Sequence, residues 1–148
     1  MAEVEFGGAR ALLFERLEGC GPGLPPEARP FRVHDRESLR RSVAREVTRL
    51  LNTRCSPPAP CPHGRTVLSY GLPDWTHELA LDTVAHTELE TQVTRAVQAF
   101  EPRLRRVSAR VETITGRERA LLIHLDAALV VEGGEEPFSF PVTVGGGE

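Results

Sequence analysis

The sequence has no lysine, few aromatic residues and no long apolar run. Aromatic residues make up 5% of the 148 residues, with a single Trp and a single Tyr. No apolar stretch approaches the roughly 20 residues that a membrane-spanning helix needs, so we expect no direct insertion into a membrane. Residues 1–8 lack the basic start and the apolar segment of a secretory signal, which predicts a cytoplasmic location.

The charge balance argues against nucleic acid as a partner. The formal net charge is -3 at pH 7, whereas non-specific binding to phosphates requires an excess of basic residues. All 18 basic residues are Arg. Arginine suits bidentate pairing with carboxylates, but its exclusive use is also typical of a GC-rich genome.

Cysteine is scarce as well, and its count is odd. Without an export signal, Cys20, Cys55 and Cys61 predict reduced thiols rather than a disulfide framework. Cys55, Cys61 and His63 share a loop between Asn52 and Pro73 that is rich in proline. The cysteine spacing exceeds that of structural zinc sites and no fourth ligand is apparent, so we predict no metal and no cofactor.

The chain length suits one domain of ordinary size. A short helix is predicted from Arg10 to Glu18, and Gly19 to Pro30 reads as a linker because it holds three Gly and four Pro. We therefore divide the chain into an N-terminal segment, residues 1–35, and a single domain, residues 36–148.

Two amphipathic helices are predicted in this domain. Asp35 can cap a helix that runs to about Leu51, and Thr87 with Glu90 forms a capping box for a second helix that ends before Pro102. Apolar residues recur at helical spacing in both segments, namely Leu39, Val43, Val47, Leu50 and Leu51 in the first, and Leu89, Val93, Ala96, Val97 and Phe100 in the second.

The C-terminal part predicts a sheet. Polar and apolar residues alternate from Arg106 to Glu112, an apolar run covers Ala120 to Val131, and alternation returns from Phe138 to Val144. Thr115-Gly116 and Gly133-Gly134 supply turns between these strands. The fold class is therefore α+β, with N-terminal amphipathic helices packed on a mostly antiparallel C-terminal β-meander.

A row of arginines lies on the polar face of the first helix. Arg41, Arg45 and Arg49 are four residues apart, and Glu37 is placed to pair with Arg41. Such a row is either a solvated face or a surface for acidic partner residues. Both interpretations stay open at this point.

No residue pattern gives positive support for an enzyme. Glycoside hydrolysis needs two carboxyl groups across a cleft, for which Glu101, Asp74, Glu78 and Asp82 are the available candidates. The sequence has no nucleophile elbow, phosphate-binding Gly loop or His-rich metal motif. His124 lies on a predicted strand, where packing or hydrogen bonding is the simpler role.

Four short segments together resemble a known family. Leu13-Phe14-Glu15-Arg16-Leu17, Leu50-Leu51-Asn52-Thr53-Arg54, Tyr70-Gly71-Leu72-Pro73-Asp74 and Phe100-Glu101-Pro102-Arg103-Leu104 occur in the order and spacing of the TssE family of type VI secretion baseplate subunits. The resemblance covers roughly Leu12 to Val144. Ser56 to Pro62 is an insertion relative to the shorter loop of the family.

The resemblance implies a cytoplasmic structural subunit. By this resemblance the chain binds TssF, TssG and TssK in a baseplate wedge and seeds the contractile TssB/TssC sheath. The family is related to a phage-tail wedge protein and often carries a lysozyme-like label, although it looks structural. The alternative functions are a peptidoglycan hydrolase and a stand-alone regulatory binding module.

Two surfaces are candidates for these contacts. Glu101, Pro102 and Arg103 match the family motif that contacts neighbouring subunits; the alternative is a helix stop with a local ion pair. The strand from Phe138 to Val144 is predicted at a sheet edge and offers strand addition to the sheath, through whichever edge the fold leaves open. The alternative is that this strand is central or covered.

Overall fold

The computed structural model describes residues 9–10, 33–55, 66–75, 83–114, 120–131 and 134–145. Its elements in chain order are β1 (Ala9–Arg10), β2 (Val33–His34), α1 (Arg36–Asn52), a 3-10 helix (Val67–Ser69), α2 (Thr83–Phe100), β3 (Leu104–Thr113), β4 (Ala120–Val131) and β5 (Gly134–Gly145). Two helices precede a three-stranded antiparallel sheet, which confirms the predicted α+β class.

Helix α1 begins and ends close to the predicted residues. Asp35 is the N-cap and has an extended backbone, and its carboxylate accepts a 2.8 Å hydrogen bond from the backbone N–H of Ser38. At the other end, the Thr53 N–H donates to the Leu50 carbonyl at 3.2 Å. These bonds satisfy backbone groups that a helix end otherwise leaves unpaired.

Helix α2 begins at Thr83, about one turn before the predicted capping box. The capping-box prediction is wrong because Thr87 lies inside the helix, where its carbonyl accepts a 3.0 Å bond from the Thr91 hydroxyl. The Glu90 carboxylate does not turn back toward Thr87. It accepts a 3.0 Å hydrogen bond from the backbone N–H of Val111 on β3, so a tertiary bond takes the place of the local one.

The sheet is a meander in the order β3-β4-β5. Both strand pairs are antiparallel, with Ile123 of the central strand opposite Val111 on one side and Val142 on the other. The predicted meander order is confirmed, and β5 lies at an edge of this sheet as expected. The predicted turn at Thr115-Gly116 lies outside the described residues.

Both helices pack on one face of the sheet. The apolar stripes of α1 and α2 meet alternate residues of the three strands, and Leu72 and Trp75 belong to the same core. Fully burying a Val or Leu side chain contributes about 1.5–3 kcal/mol. The most deeply buried apolar residues include Val43, Val47, Leu51, Val93, Val97, Ile123, Leu125, Leu129 and Val144.

The N-terminal segment contributes a short strand pair. β1 pairs with β2 in antiparallel fashion, with Ala9 opposite His34 and Arg10 opposite Val33. The sequence pattern did not predict this pair. The helix predicted from Arg10 is extended at Arg10 itself, and its remainder lies outside the described residues, as does the linker. No helix in the described ranges is long and apolar enough to cross a membrane.

A β-bulge interrupts β3 at Arg106. The register shifts between Arg105 and Ser108, and Arg106 has a φ of 50°. Residues other than glycine pay about 1–2 kcal/mol in this left-handed region because Cβ crowds the backbone. The Arg106 guanidinium pairs with the Glu135 carboxylate on β5, but the Arg106 side chain is largely exposed and such a pair contributes little to stability.

We expect the backbone cost at Arg106 to be measurable by substitution. Arg106→Ala and Arg106→Gly both remove the ion pair with Glu135, but only glycine relieves the strain of the positive φ. The glycine variant should therefore be about 1 kcal/mol more stable than the alanine variant in chemical denaturation. An alanine variant as stable as the glycine variant would contradict a strained backbone at this position.

Candidate partner-binding site

Three of the four motif segments come together at the C-terminal ends of the two helices. The Leu72 N–H donates to the Thr53 carbonyl, and the Cys55 N–H donates to the Leu72 carbonyl, both at 2.9 Å. The ring of Tyr70 meets that of Phe100 edge-on, with centroids 5.3 Å apart. We call residues 50–54, 70–74 and 100–104 the motif cluster. Residues 13–17, the fourth segment, lie outside the described residues.

Glycine is required at position 71 of this cluster. Its φ is 116°, and a Cβ placed there would lie 2.4 Å from the Thr53 carbonyl oxygen. Any side chain would push the Tyr70 segment away from the end of α1 and break the two backbone bonds that join them. The Gly in Tyr-Gly-Leu-Pro-Asp therefore has a structural explanation.

A buried ion pair occupies the turn between α2 and β3. The Arg103 Nε and Nη2 atoms donate to the two carboxylate oxygens of Glu101, each at 2.7 Å. The Arg103 Nη1 atom donates to the hydroxyl of Ser42 on α1 at 3.1 Å. The side chains of Glu101 and Arg103 are 5% and 16% exposed, so this bidentate pair is largely removed from water.

The backbone of the same turn joins the helix to the sheet. The Glu101 N–H donates to the Val97 carbonyl and the Leu104 N–H donates to the Glu101 carbonyl. The Val130 N–H of β4 donates to the Arg103 carbonyl at 2.8 Å. Pro102 is exposed at the tip of the turn. The structure thus contains the local ion pair, and the partner contact predicted for Glu101, Pro102 and Arg103 stays a prediction.

Tyr70 lies beside this ion pair, on a cleft of about 70 Å³. Burial raises the pKa of the Tyr70 phenol, the carboxylates of Glu46 and Glu101 raise it further, and the guanidinium of Arg49 acts in the opposite direction. The cleft is lined by Glu46, Val47, Leu50, Tyr70, Phe100, Glu101 and Pro102.

The Asn-Thr-Arg segment also has contacts within the fold. The Asn52 side-chain amide donates to the Thr143 carbonyl of β5 at 3.2 Å and to the Thr48 carbonyl at 3.0 Å. The Arg54 guanidinium stacks over the Trp75 ring, 4.9 Å from its centroid. Each residue of this motif thus holds the end of α1 to a neighbouring element.

The predicted arginine row divides into two parts. Arg41 is 69% exposed and 3.9 Å from Glu37, and Arg45 is exposed. Arg49 lies closer to the motif cluster and donates to Glu46 at 2.7 Å. Exposed ion pairs contribute little to stability, so Arg41 can exchange Glu37 for a carboxylate of a partner at little cost to the fold. The partner role of the arginine row stays a prediction.

The remaining candidates are spread over the motif cluster, the outer face of the sheet and segments outside the described residues. His124 is 42% exposed and lies 3.4 Å from Glu112 on the outer face of the sheet. Asp74 is exposed and Cys55 is a half-buried free thiol. Glu78, Asp82, Cys61, His63 and Cys20 fall in undescribed segments. Within the described segments, no three His, Cys, Asp or Glu residues are grouped as a metal site requires.

Sequence reasoning missed Ser42 and Glu46, and it gave Tyr70 no role beyond its place in a motif segment. Ser42 lies 2% exposed on the apolar stripe of α1, and a small polar residue in such a stripe signals a buried partner. Glu46 and Tyr70 come together only through tertiary folding. Among polar side chains described by the structure, Ser42 and Glu101 are the buried ones, and both bind Arg103.

The fold and the motif cluster define an α+β domain whose buried polar residues join the helices to the sheet. The sequence profile of the family described as "Baseplate wedge protein gp25" matches residues 37–133. The chain therefore belongs to this baseplate wedge family, which confirms the family resemblance seen in the sequence and makes it a structural baseplate protein.

A solved structure shows the same fold. The chain is similar to one in a structure described as "The baseplate complex from the type VI secretion system", with 24% identity and a TM-score of 0.54. The alignment covers 74% of this chain and 97% of that chain. A search of curated proteins found no match.

We expect the buried ion pair to matter far more to stability than an exposed one. Glu101→Gln leaves the Arg103 guanidinium without its counter-charge and should lower the free energy of unfolding by about 3 kcal/mol. Arg41→Met, which breaks only the exposed pair with Glu37, should change it by less than about 0.5 kcal/mol. Chemical denaturation measures both. Similar losses in the two variants would show that burial adds nothing to the Glu101–Arg103 pair.

The environment of Tyr70 predicts a loss of stability in alkali. Because the folded pKa lies above the usual value of about 10, the neutral phenol contributes its full stabilisation below pH 10. This contribution is lost as the pH rises through the folded pKa. As the chain has one tyrosine, absorbance titration reports Tyr70 alone. Its midpoint should exceed that of the denatured chain, and Tyr70→Phe should remove this part of the pH dependence.

Proposed function

We propose that this protein is the wedge subunit of a type VI secretion baseplate, with the role of TssE. Membership of the baseplate wedge family carries the proposal. The fold shared with a chain of a type VI secretion baseplate complex supports it. The four motif segments also support it, since three of them form the motif cluster in the fold.

The role is structural rather than hydrolytic. A glycosidase needs one carboxyl group that donates a proton and a second that faces the substrate across a cleft. Both oxygens of Glu101 bind the Arg103 guanidinium, and Oε1 also accepts a 3.2 Å bond from the Arg103 backbone N–H. This carboxylate is committed to the fold and has no free oxygen to serve a substrate.

The proposed partners are TssF, TssG and TssK, in the cytoplasm. Arg41 and Arg45 offer exposed guanidinium groups on α1 to acidic residues of these subunits. Pro102 projects from the turn held by the Glu101–Arg103 ion pair, which fixes the direction in which this turn meets a neighbour. In this proposal Arg103 acts mainly as a positioning residue, which holds the turn that carries Pro102.

The protein also seeds the TssB/TssC sheath in this proposal. The three-stranded sheet has two edges, and edge strands accept an extended segment through main-chain hydrogen bonds, with side-chain alternation setting the register. Wedge contacts through α1 and the α2–β3 turn leave the sheet free for this second task.

Charge reversal on α1 tests the proposed wedge contacts. Arg45→Glu should weaken co-purification with TssF, TssG and TssK, because the changed side chain repels acidic partner residues. Arg95→Glu, an exposed change on α2, should leave co-purification intact, and both variants should keep the thermal midpoint within a few degrees. Equal co-purification of both variants would make the arginine row a solvated face. Failure of the unaltered protein to co-purify would reject the proposed function.

A further inference from the structure

Arg54 lies where the end of α1 meets the Tyr70 segment, and its backbone is held on both sides. It forms an isolated parallel bridge with Leu72. The Thr53 carbonyl accepts a hydrogen bond from the Leu72 N–H, and the Cys55 N–H donates to the Leu72 carbonyl, both at 2.9 Å. These two bonds leave the Arg54 backbone little freedom, so its side chain starts from a fixed point.

The side chain of Arg54 is held as well. Its guanidinium lies over the Trp75 ring, with Cζ 4.9 Å from the ring centroid. Trp75 is 5% exposed and belongs to the hydrophobic core, so the ring is a fixed platform. The ring attracts the charge of the guanidinium, whereas the N–H donors of that group lie in its own plane. The contact therefore keeps Arg54 in place without using its hydrogen-bond donors.

Arg54 differs from the other arginines around the motif cluster because no carboxylate pairs with it. Arg49 pairs with Glu46 and Arg103 pairs with Glu101, each at 2.7 Å. Arg54 is exposed and forms no ion pair within the described part of the chain. Its positive charge and its planar set of donors are thus left for a ligand, and a carboxylate matches both.

One acidic residue lies close to this site in the sequence. Asp74 directly precedes Trp75, is exposed and is engaged in a contact of its own. Water and salt screen the charge of an exposed carboxylate. Asp74 therefore weakens the attraction of Arg54 for an incoming carboxylate but does not take its place.

The Trp75 ring carries a second unused donor. Its indole Nε1 atom is buried and has no hydrogen-bond partner in the part of the chain that the structure describes. Burying a donor without an acceptor is unfavourable, and folded proteins keep few such groups. A carboxylate has about four lone-pair sites, so one that binds Arg54 can also accept from this N–H. Because Nε1 is covered in the free protein, the site must adjust slightly to admit the acceptor.

We propose that Arg54 and Trp75 form a docking site for a carboxylate on an acidic segment of a partner protein. Bidentate pairing with Arg54 supplies charge and direction, and the indole N–H supplies a further donor. Trp and Arg often dominate the binding energy of interfaces, and side chains that are already fixed lose little entropy when a partner arrives. The inference rests on the proposed function for the identity of that partner, a baseplate subunit.

Peptide titration of the full chain tests the site. The probe is pentaglutamate with blocked ends, and pentaglutamine and pentalysine are the neutral and basic controls. Pentaglycine with a free carboxyl terminus separates a chain terminus from acidic side chains as the source of the carboxylate. As the chain has one tryptophan, a single indole N–H resonance reports Trp75. This resonance should move downfield with pentaglutamate, as Nε1 gains an acceptor, and stay in place with the two controls.

Three variants identify the residue that binds. Arg54→Gln should weaken pentaglutamate binding about tenfold, the loss expected for one charge-assisted contact. Arg54→Lys keeps the charge but not the planar fork, so it should recover only part of the affinity. Arg95→Gln removes an exposed arginine from α2 and should bind like the unaltered protein. All three variants should keep the thermal midpoint within a few degrees, which separates lost binding from lost folding.

Several results would overturn the site. They are equal pentaglutamate binding by Arg54→Gln and the unaltered protein, equally tight binding of pentaglutamine or pentalysine, and an indole resonance that does not respond. Tighter binding of pentaglycine would overturn the acidic segment as the source.

Co-purification separates the site from the proposed function. Arg54→Gln should recover less TssF, TssG and TssK than Arg95→Gln does, because the docking carboxylate loses its partner. Recovery at the unaltered level would reject the site and leave the proposed function standing. Pentaglutamate binding at Arg54 by a protein that recovers none of these subunits would reject the proposed function alone.

Discussion

The bidentate bond between Arg103 and Glu101 holds the parts of this molecule in their relative positions. Glu101 ends α2, Arg103 precedes β3, and Ser42 brings α1 to the same guanidinium. Each ion loses most of its hydration, and the two compensate each other only in this geometry. A different angle between α2 and β3 would separate Glu101 from Arg103 and leave a charge buried and unpaired, so we expect the pair to favour one arrangement of this turn. The Glu101–Arg103 pair is part of the motif cluster, and Tyr70 lies beside Glu101.

Polar side chains of the helices also complete the sheet. An isolated sheet of three strands leaves two rows of unpaired backbone groups, and proteins cover or charge such edges to avoid aggregation. Here Arg40 and Asn52 reach one edge from α1, and Glu90 reaches the other from α2. The amphipathic helices thus contribute apolar residues to the core and, along their flanks, hydrogen bonds to strands far away in sequence.

Local patterns predicted the elements well and the site less well. The spacing of apolar residues predicted α1, the meander and its strand order, because these features depend on which residues are buried. The capping box at Thr87 failed because Glu90 found a better donor on β3, and no local rule includes a strand that lies 21 residues away. The Glu-Pro-Arg segment was seen as a surface motif, since nothing nearby in sequence indicates that Ser42 completes a buried pair. The need for glycine at position 71 could not be predicted locally either, because it arises from the close approach of the Thr53 carbonyl.

The positions of the single tryptophan and the single tyrosine make them intrinsic spectroscopic probes of one part of the molecule. The one tryptophan stacks under Arg54 and the one tyrosine packs against Phe100, so both intrinsic chromophores belong to the corner where the motif segments meet. Intrinsic fluorescence therefore follows the state of this corner, whereas circular dichroism of the backbone follows the helices and the sheet as a whole. Any event that loosens the corner while the sheet persists will separate the two signals, and a fold that melts as one unit will keep them together.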